Sequence, residues 1–219
     1  MSLLGSLYNF AAIDDDEVKN PVNILTLKKL RNRKTRRDSF IRDHQIPAWT
    51  KAVKSLDNPS FRDVLFLLLF TGLRKMETFR MAWEDIDFVD KTIRIPDTKN
   101  DIPLVLPMSS FVLDLLQKRH QARGSNGWVF PGNGEHGHII DAKSSIKYIK
   151  NTSGVNFMVH DLRRTYATKA RKLSIPNETI KRLLNHAKSN DVTEGYIITD
   201  VEDLRTPCQL ISDEFSKLI

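Results

Sequence analysis

The stretch PSFRDVLFLLLFTGLRKMETFRMAW, residues 59–83, decides the fold. Its first half, through Phe70, has helical signals and is apolar almost all round, which predicts a helix buried in a core. The following Thr-Gly dipeptide breaks this helix, and the pattern of LRKMETFRMAW predicts that helix resumes. The apolar run VLFLLLF is far too short to span a bilayer, so the stretch predicts the central helix of a globular domain.

Helical patterns recur on both sides of this stretch, at 3–12, 46–56, 109–122, 141–151, 160–173 and 176–185. The segment KTIRIPDTKNDIPLVLP, residues 91–107, has β-branched alternation on both sides of a polar turn. This pattern predicts a β-hairpin with Lys99 at or beside its turn. The expected fold class is therefore mainly α with a small antiparallel β-sheet, an α+β domain.

The composition is that of a globular protein with an excess of positive charge. Of the 219 residues, 40% are hydrophobic and 28% are charged, and 34 Lys and Arg against 27 Asp and Glu give a net charge of +7. This excess favours a polyanionic partner without identifying one. The single cysteine, Cys208, excludes an internal disulfide framework and is typical of a reducing compartment. Since the first residues lack the basic start of a signal peptide, we expect a soluble, cytosolic protein without a membrane partner.

The strongest block of positive charge is LKKLRNRKTRR, residues 27–37. Such a block is either a solvated linker or a segment that tracks the backbone of DNA, and the sequence leaves both readings open. In the second reading, four arginines contact DNA phosphates: Arg31, Arg33, Arg36 and Arg37.

The stretch HDLRRTYAT, residues 160–168, crowds cations at the start of a predicted helix. His160 and Arg163 are three positions apart, so they project from one face in the first turn, where unpaired backbone N–H groups favour an anion. Arg164 adds a further positive charge beside them. Taken alone, the cluster is more typical of a cationic surface than of an active site.

Two further motifs carry polar residues beside apolar helices. In TGLRKMET, Arg74 precedes Glu77 by three positions, so the carboxylate can fix the guanidinium, although an ordinary surface ion pair has the same spacing. In LLNHAKSNDVTEGYI, His186 ends an apolar helical run and Tyr196 follows ten positions later. By itself such a pair is usually structural.

Together, these motifs resemble the catalytic domain of the tyrosine recombinases, the phage-integrase family. The resemblance runs from about Asn20 to Tyr196 and includes VFPG at 129–132; its most specific part is HDLRRT followed by the downstream histidine and tyrosine. It implies the tyrosine-recombinase catalytic-domain fold, with Tyr196 as the nucleophile. It also implies a phosphate site lined by five side chains: Arg74, Lys99, His160, Arg163 and His186.

The sequence departs from the family pattern at two points. Asn185 stands where the family more often has glycine before the second histidine. The interval from that histidine to the tyrosine is ten positions, whereas nine is more common. Both departures flank a polar segment, so we expect them to leave the chemistry intact.

Physical chemistry supports each implied role. A phosphodiester under attack gains negative charge on its non-bridging oxygens, which arginine guanidinium groups stabilise. Tyrosine, with a pKa of about 10, needs a proton acceptor, for which His160 is the candidate. Lys99 is the candidate proton donor to the departing 5′ oxygen, with Lys91 as the competitor if the turn lies elsewhere, and His186 would donate a hydrogen bond to phosphate.

These roles require neither a metal nor another cofactor. The segment EHGH at 135–138 has the residue types of a metal-ligand pair, but it lies in a glycine loop without further ligands. We therefore expect this segment to be exposed to solvent.

The function expected from the sequence is that of a site-specific DNA recombinase or integrase that cuts and rejoins DNA through a 3′-phosphotyrosyl intermediate. Two alternatives remain: an enzyme related to type IB topoisomerases, and a DNA-binding module with a decayed site. The expected partners are double-stranded DNA carrying a recombination site and further copies of the chain, assembled on DNA as a tetramer. Such a protein would be cytoplasmic, nucleoid-associated and encoded by a bacterium or prophage.

The expected organisation has three parts. Residues 1–37 are a tail and basic linker from a core-binding domain that is missing here, 38–200 the catalytic domain, and 201–219 a C-terminal tail helix. The contacts to DNA are expected from the arginine-rich block together with Arg164 and Lys188. In the tail, the apolar positions expected to dock on this domain or on a neighbour's are Leu210, Ile211, Phe215 and Leu218.

Overall fold

The structure, a computed structural model, describes residues 3–13, 20–27, 38–96, 103–185 and 200–219. The chain divides into two compact units, Met1–Asp38 and Ser39–Ile219. The first contains helices α1 (Leu3–Ala11) and α2 (Val22–Leu27). Within this unit, the Asn20 side chain donates to the carbonyl of Gly5 at 3.0 Å.

The second unit is mainly α-helical and contains a three-stranded antiparallel sheet, which confirms the expected fold class. Its helices are α3 (Ile46–Lys54), α4 (Pro59–Thr71), α5 (Lys75–Phe79), α6 (Ser110–Gln121), α7 (Lys143–Ser153), α8 (Val159–Lys172), α9 (Asn177–Leu183) and α10 (Arg205–Ser216). Its strands are β1 (Ile86–Asp87), β2 (Thr92–Ile95) and β3 (Leu104–Pro107).

Helix α4 is the centre of this unit, as its composition predicts. Asn58 caps its start by accepting from the Ser60 N–H at 2.8 Å, and Pro59 occupies the first helical position, where a missing N–H costs nothing. Every residue from Val64 to Thr71 is buried. Gly72 ends the helix in the left-handed conformation with φ of +67°. Helices α3, α5, α6, α8 and α10 all pack against α4, so both of its ends are fixed within the core.

The predicted hairpin is confirmed. Strand β2 pairs with β3 in antiparallel register, with Thr92 opposite Pro107 and Ile95 opposite Leu104. The turn between them, including Lys99, lies outside the described residues. Strand β1 adds a third strand on the other side of β2, which the sequence pattern does not predict.

The prediction that helix continues through LRKMETFRMAW is wrong beyond Phe79, because α5 ends at that residue. The chain instead pairs with a distant segment: the Val129 N–H donates to the Met81 carbonyl at 2.9 Å, and the Trp83 N–H donates to the Gly127 carbonyl at 2.9 Å. These tertiary backbone hydrogen bonds compete with the helical ones and override the local preference.

Helix α10 packs within its own unit, against α4, α6 and α8. Ile211 and Phe215 are fully buried and Leu218 packs at the edge of the core. Leu210 does not dock on its own unit, because the residue is 48% exposed; docking on a neighbouring copy, the other arm of the prediction, stays a prediction. The buried stripe includes Cys208 instead, since positions three and four apart share a helix face whereas adjacent positions do not.

Across the described residues, no helix is long and apolar enough to cross a membrane.

Candidate active site

Arg74 is held at the start of α5 by Glu77, the partner that its spacing suggests. The backbone N–H of Arg74 donates to Glu77 Oε2 at 2.8 Å, and its Nη1 donates to Oε1 at 2.8 Å. Glu77 is buried, while the Arg74 side chain keeps 24% exposure. The carboxylate thus fixes the guanidinium while leaving part of it accessible.

Gly72, two residues earlier, allows three elements to meet at this point. A Cβ atom at Gly72 would lie 2.7 Å from Tyr166 Cδ1 on α8 and 2.8 Å from Leu184 Cδ2 at the end of α9. Real side chains do not approach this closely, so only glycine fits here. The end of α4 therefore lies directly against α8 and the residue that follows α9.

Arg163 points into this junction. Its Nη1 donates to the Gly72 carbonyl at 2.7 Å, and its Nη2 donates to the Leu184 carbonyl. The residue is only 5% exposed. Burial first, and then the positive charge of Arg74, lower the pKa of Arg163 to about 10, while the negative charge of Glu77 opposes them. Arg163 still carries its charge at neutral pH. Its Nη2 donates to the carbonyl of Leu184 and Arg74 Nη2 to that of the next residue, Asn185, so the two cations share one site.

The same helix end receives Arg74, whose Nη2 donates to the Asn185 carbonyl at 3.0 Å. Asn185 has a φ of +45°. Gly and Asn adopt this left-handed conformation at the lowest cost, so the departure from glycine that the sequence shows here preserves the backbone geometry.

His160 lies in the first turn of α8 and is exposed. The spacing predicts that His160 and Arg163 project from one face, but the structure separates them by depth, with His160 outside and Arg163 inside. Partial desolvation lowers the pKa of His160, the positive charges of Arg164, Arg163 and Arg74 lower it further, and Asp161 opposes them. The imidazole is therefore neutral at pH 7 and able to accept a proton.

Two residues of the HDLRRT motif have structural roles that the sequence reasoning missed. Buried Asp161 accepts from the Met158 N–H at 2.9 Å and from Arg164 Nη1 at 2.9 Å, so it caps α8 and holds Arg164. The Thr165 hydroxyl accepts from the Ile41 N–H at 2.9 Å, which fixes the chain entering this unit. An acidic residue three positions into a helix is a known capping signal and was the available clue to Asp161.

The remaining predicted site residues lie outside the described residues: Lys99, His186, Tyr196, Lys188, Arg31, Arg33, Arg36 and Arg37. The described residues that come just before Lys99 and just before His186 lie at the site. A cleft of about 170 Å³ is lined by Arg74 together with Ile95 and Pro96, where β2 ends. Asn185, which contacts Arg74, is the residue before His186.

Lys91 is the alternative to Lys99 as proton donor. It lies one residue before Thr92, where β2 begins, whereas Ile95 is at the other end of the strand. Its backbone carbonyl accepts from the Met108 N–H at 2.8 Å, and its side chain is exposed. Lys91 thus belongs to the turn between β1 and β2 rather than to the end of the hairpin beside Arg74.

A lysine-rimmed groove of about 530 Å³ adjoins His160. Its floor is apolar, and its rim carries four lysines and one aspartate. The residues that line it are Lys75, Asp141, Lys143, Ile146, Lys147, Lys150, Phe157, Met158, Val159 and His160. Lys143, Lys147 and Lys150 share one face of α7, so this face presents positive charge beside the histidine.

The expected exposure of the EHGH segment is wrong for His138, which is only 7% exposed. Its ring packs edge-on against Trp128, with centroids 4.9 Å apart, and its Nδ1 lies 2.9 Å from the Ile139 carbonyl. A bridge between Pro131 and His138 folds the loop back and buries the ring. Within the part of the chain that the structure describes, no three His, Cys, Asp or Glu residues are grouped as metal ligands.

Two buried or half-buried arginines, a neutral histidine and an adjoining basic groove form a cationic site whose donors suit an anion with several acceptor oxygens rather than a small apolar ligand. The profile of the phage integrase family matches residues 39–202, and the chain belongs to this family.

Similar proteins include prophage integrase IntF of Escherichia coli K12, which is 31% identical over 157 residues, covering 69% of this chain and 34% of IntF. A XerC-like tyrosine recombinase of Caldanaerobacter subterraneus is 34% identical over 165 residues, covering 56% of this chain and 42% of that protein. The chain thus spans about a third to two fifths of the length of these relatives. A lambda integrase dimer bound to a COC′ core site has the same fold, with a TM-score of 0.62 at 19% identity, covering 90% of this chain and 72% of that one.

Proposed function

We propose that this chain is the catalytic domain of a site-specific DNA recombinase or integrase. The observation that carries the proposal is the convergence of Arg74 and Arg163, which are 89 positions apart in sequence, on the end of α9. Two cations that meet in one partly buried site repel each other, so the site favours an incoming anion with more than one acceptor oxygen. A phosphodiester meets this requirement.

In the proposed reaction, the Tyr196 hydroxyl attacks the scissile phosphorus and His160 accepts its proton. A 3′-phosphotyrosyl bond forms as the bond from phosphorus to the 5′ oxygen breaks, and Lys99 donates the proton that the departing 5′ oxygen needs. Arg74 and Arg163 stabilise the charge that develops on the non-bridging oxygens, and His186 donates a hydrogen bond to one of them. A 5′ hydroxyl of another strand reverses these steps, so the energy of the broken bond is conserved without ATP.

The position of the hairpin supports Lys99 over Lys91 as the proton donor. The cleft shared by Arg74, Ile95 and Pro96 brings the end of β2 to the site, and Lys99 follows this end by four residues. Lys91 precedes the strand at its far end. A strand rises about 3.3 Å per residue, so the two ends of β2 lie roughly 10 Å apart, and only the Ile95 end lines the cleft with Arg74.

Duplex DNA is the proposed partner. The net charge of +7 and the lysine-rimmed groove beside His160 suit a polyanion, and the lambda integrase with this fold is bound to a core site. We propose that the lysine face of α7, Arg164, Lys188 and the block at 27–37 contact phosphates. We also propose assembly on DNA as a tetramer, a cytoplasmic, nucleoid-associated location, and residues 38–200 as the catalytic domain between an N-terminal linker and a C-terminal tail helix.

The test is covalent trapping on a nicked duplex of the recombination site that loses a short piece after cleavage, so that rejoining is starved. The unsubstituted protein should accumulate a protein–DNA adduct that resists denaturation. Tyr196→Phe should abolish the adduct while retaining DNA binding. Tyr148→Phe is the matched control, because Tyr148 is exposed on α7 and its hydroxyl only contacts Ser55.

The same assay tests the cations. Arg74→Ala, Arg163→Ala and Lys99→Ala should each slow adduct formation by roughly 10²-fold or more, the scale of losing one charge-stabilising donor. Arg62→Ala, at the opposite end of α4, is the control and should leave the rate unchanged. An adduct that persists in Tyr196→Phe would show that another residue is the nucleophile. Binding without any adduct from the unsubstituted protein would favour the decayed-site alternative, and relaxation of supercoils without recombination would favour the topoisomerase alternative.

A further inference from the structure

The end of α9 presents two successive backbone carbonyls to two different arginines. The Leu184 carbonyl accepts from Arg163, and the Asn185 carbonyl accepts from Arg74 at 3.0 Å. The last carbonyls of a helix have no partner within the helix and need donors from elsewhere. Here the donors are the two cations of the proposed phosphate site.

These contacts solve an electrostatic problem on both sides. Arg74 and Arg163 carry like charges and repel each other, and the negative charge of Glu77 offsets part of this repulsion. The carbonyl oxygens add negative partial charge beside each guanidinium. These contacts also leave donors unused. Each guanidinium has five N–H groups, and in each arginine Nη1 and Nη2 donate one hydrogen bond apiece to a protein oxygen. The remaining N–H groups can bind an incoming phosphate without displacing the carbonyls.

The direction of the Asn185 carbonyl depends on the backbone conformation of Asn185 itself. Helix α9 ends at Leu183, Leu184 has a φ of −92°, and Asn185 then turns to a φ of +45° while its N–H donates to the Arg182 carbonyl at 2.9 Å. If residue 185 left the left-handed region, its carbonyl would turn away from Arg74.

We propose that Asn185 is a positioning residue, whose left-handed backbone conformation, rather than its amide side chain, orients the Arg74 guanidinium toward the scissile phosphate. Leu184, through its carbonyl, orients Arg163 in the same way. This inference rests on the proposed function and extends it to the backbone that aligns the cations.

The test compares three substitutions that differ in their tolerance of the left-handed conformation: Asn185→Gly, Asn185→Ala and Asn185→Val. Glycine adopts it freely, alanine with difficulty and β-branched valine with the greatest strain. At saturating nicked DNA, the first variant should form the adduct at the unsubstituted rate, the second several-fold more slowly, and the third more slowly by roughly tenfold or more, the scale of the left-handed penalty. DNA affinity should change less than about twofold, because Arg74 keeps its charge.

Ser174 provides the matched control. It too is a non-glycine residue in the left-handed conformation, with φ of +57°. It comes after the C-terminal end of α8, whereas His160 is in the first turn of that helix. Ser174→Val should lower thermal stability without slowing adduct formation by folded protein. An equal slowing in Ser174→Val would mean general destabilisation and would overturn the proposal. So would a slow Asn185→Gly variant, since this would assign the effect to the amide side chain, or an unaffected Asn185→Val variant.

A second measurement separates this inference from the proposed function. The Nη–H signals of Arg74 and Arg163 in NMR spectra of the protein without DNA should be protected from solvent exchange in the unsubstituted protein and in Asn185→Gly. In Asn185→Val, the Arg74 signal should lose this protection. This outcome holds whether or not the protein forms an adduct, whereas equal protection in all three proteins would refute the positioning role even if cleavage occurs.

Discussion

The guanidinium of Arg163 donates to the backbone carbonyl of Gly72 at 2.7 Å and thereby joins α8 to the turn that ends α4. This buried contact spans 91 positions of sequence. The contact places a positive charge where α4 and α8 meet. Arg74 comes two residues after Gly72, so it lies beside this charge. This tightly packed turn and the proposed phosphate site are therefore the same place.

Gly72→Ala should destabilise the protein by about 3 kcal/mol, the sum of the left-handed penalty and overpacking against Tyr166 and Leu184. The free energy of unfolding in urea measures this loss. Gly154→Ala is the control: Gly154 also has a positive φ, of +70°, but a Cβ there meets nothing within 4 Å. Only the backbone penalty of about 1 kcal/mol should remain in that variant. Equal losses at both positions would show that the close approach to α8 costs nothing.

Adduct formation should depend on pH through His160. Its pKa lies below the ordinary value of 6.5, so the neutral base is present at pH 7 and is lost only as the pH falls through the lowered pKa. The single-turnover rate should therefore decline on the acid side, below pH 6.5, and His160→Gln should lack this decline as well as being slow.

Arg164→Gln provides the complementary measurement. Removing the charge of Arg164, the largest electrostatic cause of the lowered pKa, should raise the pKa of His160 and shift the acid decline to higher pH. A decline that stays in His160→Gln would assign the titration to another group. The comparison is made at saturating DNA so that a weaker phosphate contact by Arg164 does not affect the rate.

Lys147→Gln and Lys150→Gln should each weaken DNA binding and reduce the slope of log K against log salt by about 1, as expected for one lost phosphate contact. Both lysines line the groove beside His160. Lys118→Gln is the control, because Lys118 lies on α6 and pairs with Asp114 at 2.7 Å. If all three substitutions change the slope equally, the loss reflects net charge rather than the groove.

Phe215→Ala should destabilise the protein by about 3–5 kcal/mol, the usual cost of removing a buried phenylalanine. The Phe215 ring is fully buried, its centroid lies 5.5 Å from that of Phe70, and Lys169 Nζ lies 5.6 Å from it. Leu210→Ala, on the exposed side of the same helix, should change stability by less than about 0.5 kcal/mol. Urea unfolding of the dilute protein measures both. A small loss in Phe215→Ala would mean that α10 does not dock on its own unit in solution.

Local patterns accounted for the contacts that lie within one element or one hairpin. The Arg74–Glu77 ion pair follows from a spacing of three residues, and the β2–β3 pairing follows from alternation on both sides of a polar turn. The errors arose where a local preference competed with distant backbone. Helix was predicted beyond Phe79, but Met81 and Trp83 pair with residues 127–129; His138 was expected to be exposed, but its loop folds back onto Trp128.

The sequence by itself determined the β2–β3 hairpin, the burial of α4 and the motifs that identify the family, because periodicity and motif spacing are properties of the chain alone. Only the tertiary structure decided that Arg163 turns inward while His160 stays exposed, and that Leu184 and Asn185 offer their carbonyls to the two arginines. The physical reason is that every residue carries the same carbonyl group, so the sequence holds no sign of which one will accept a hydrogen bond. Its direction depends on backbone angles such as the φ of +45° at Asn185, and its partner depends on which helices pack together.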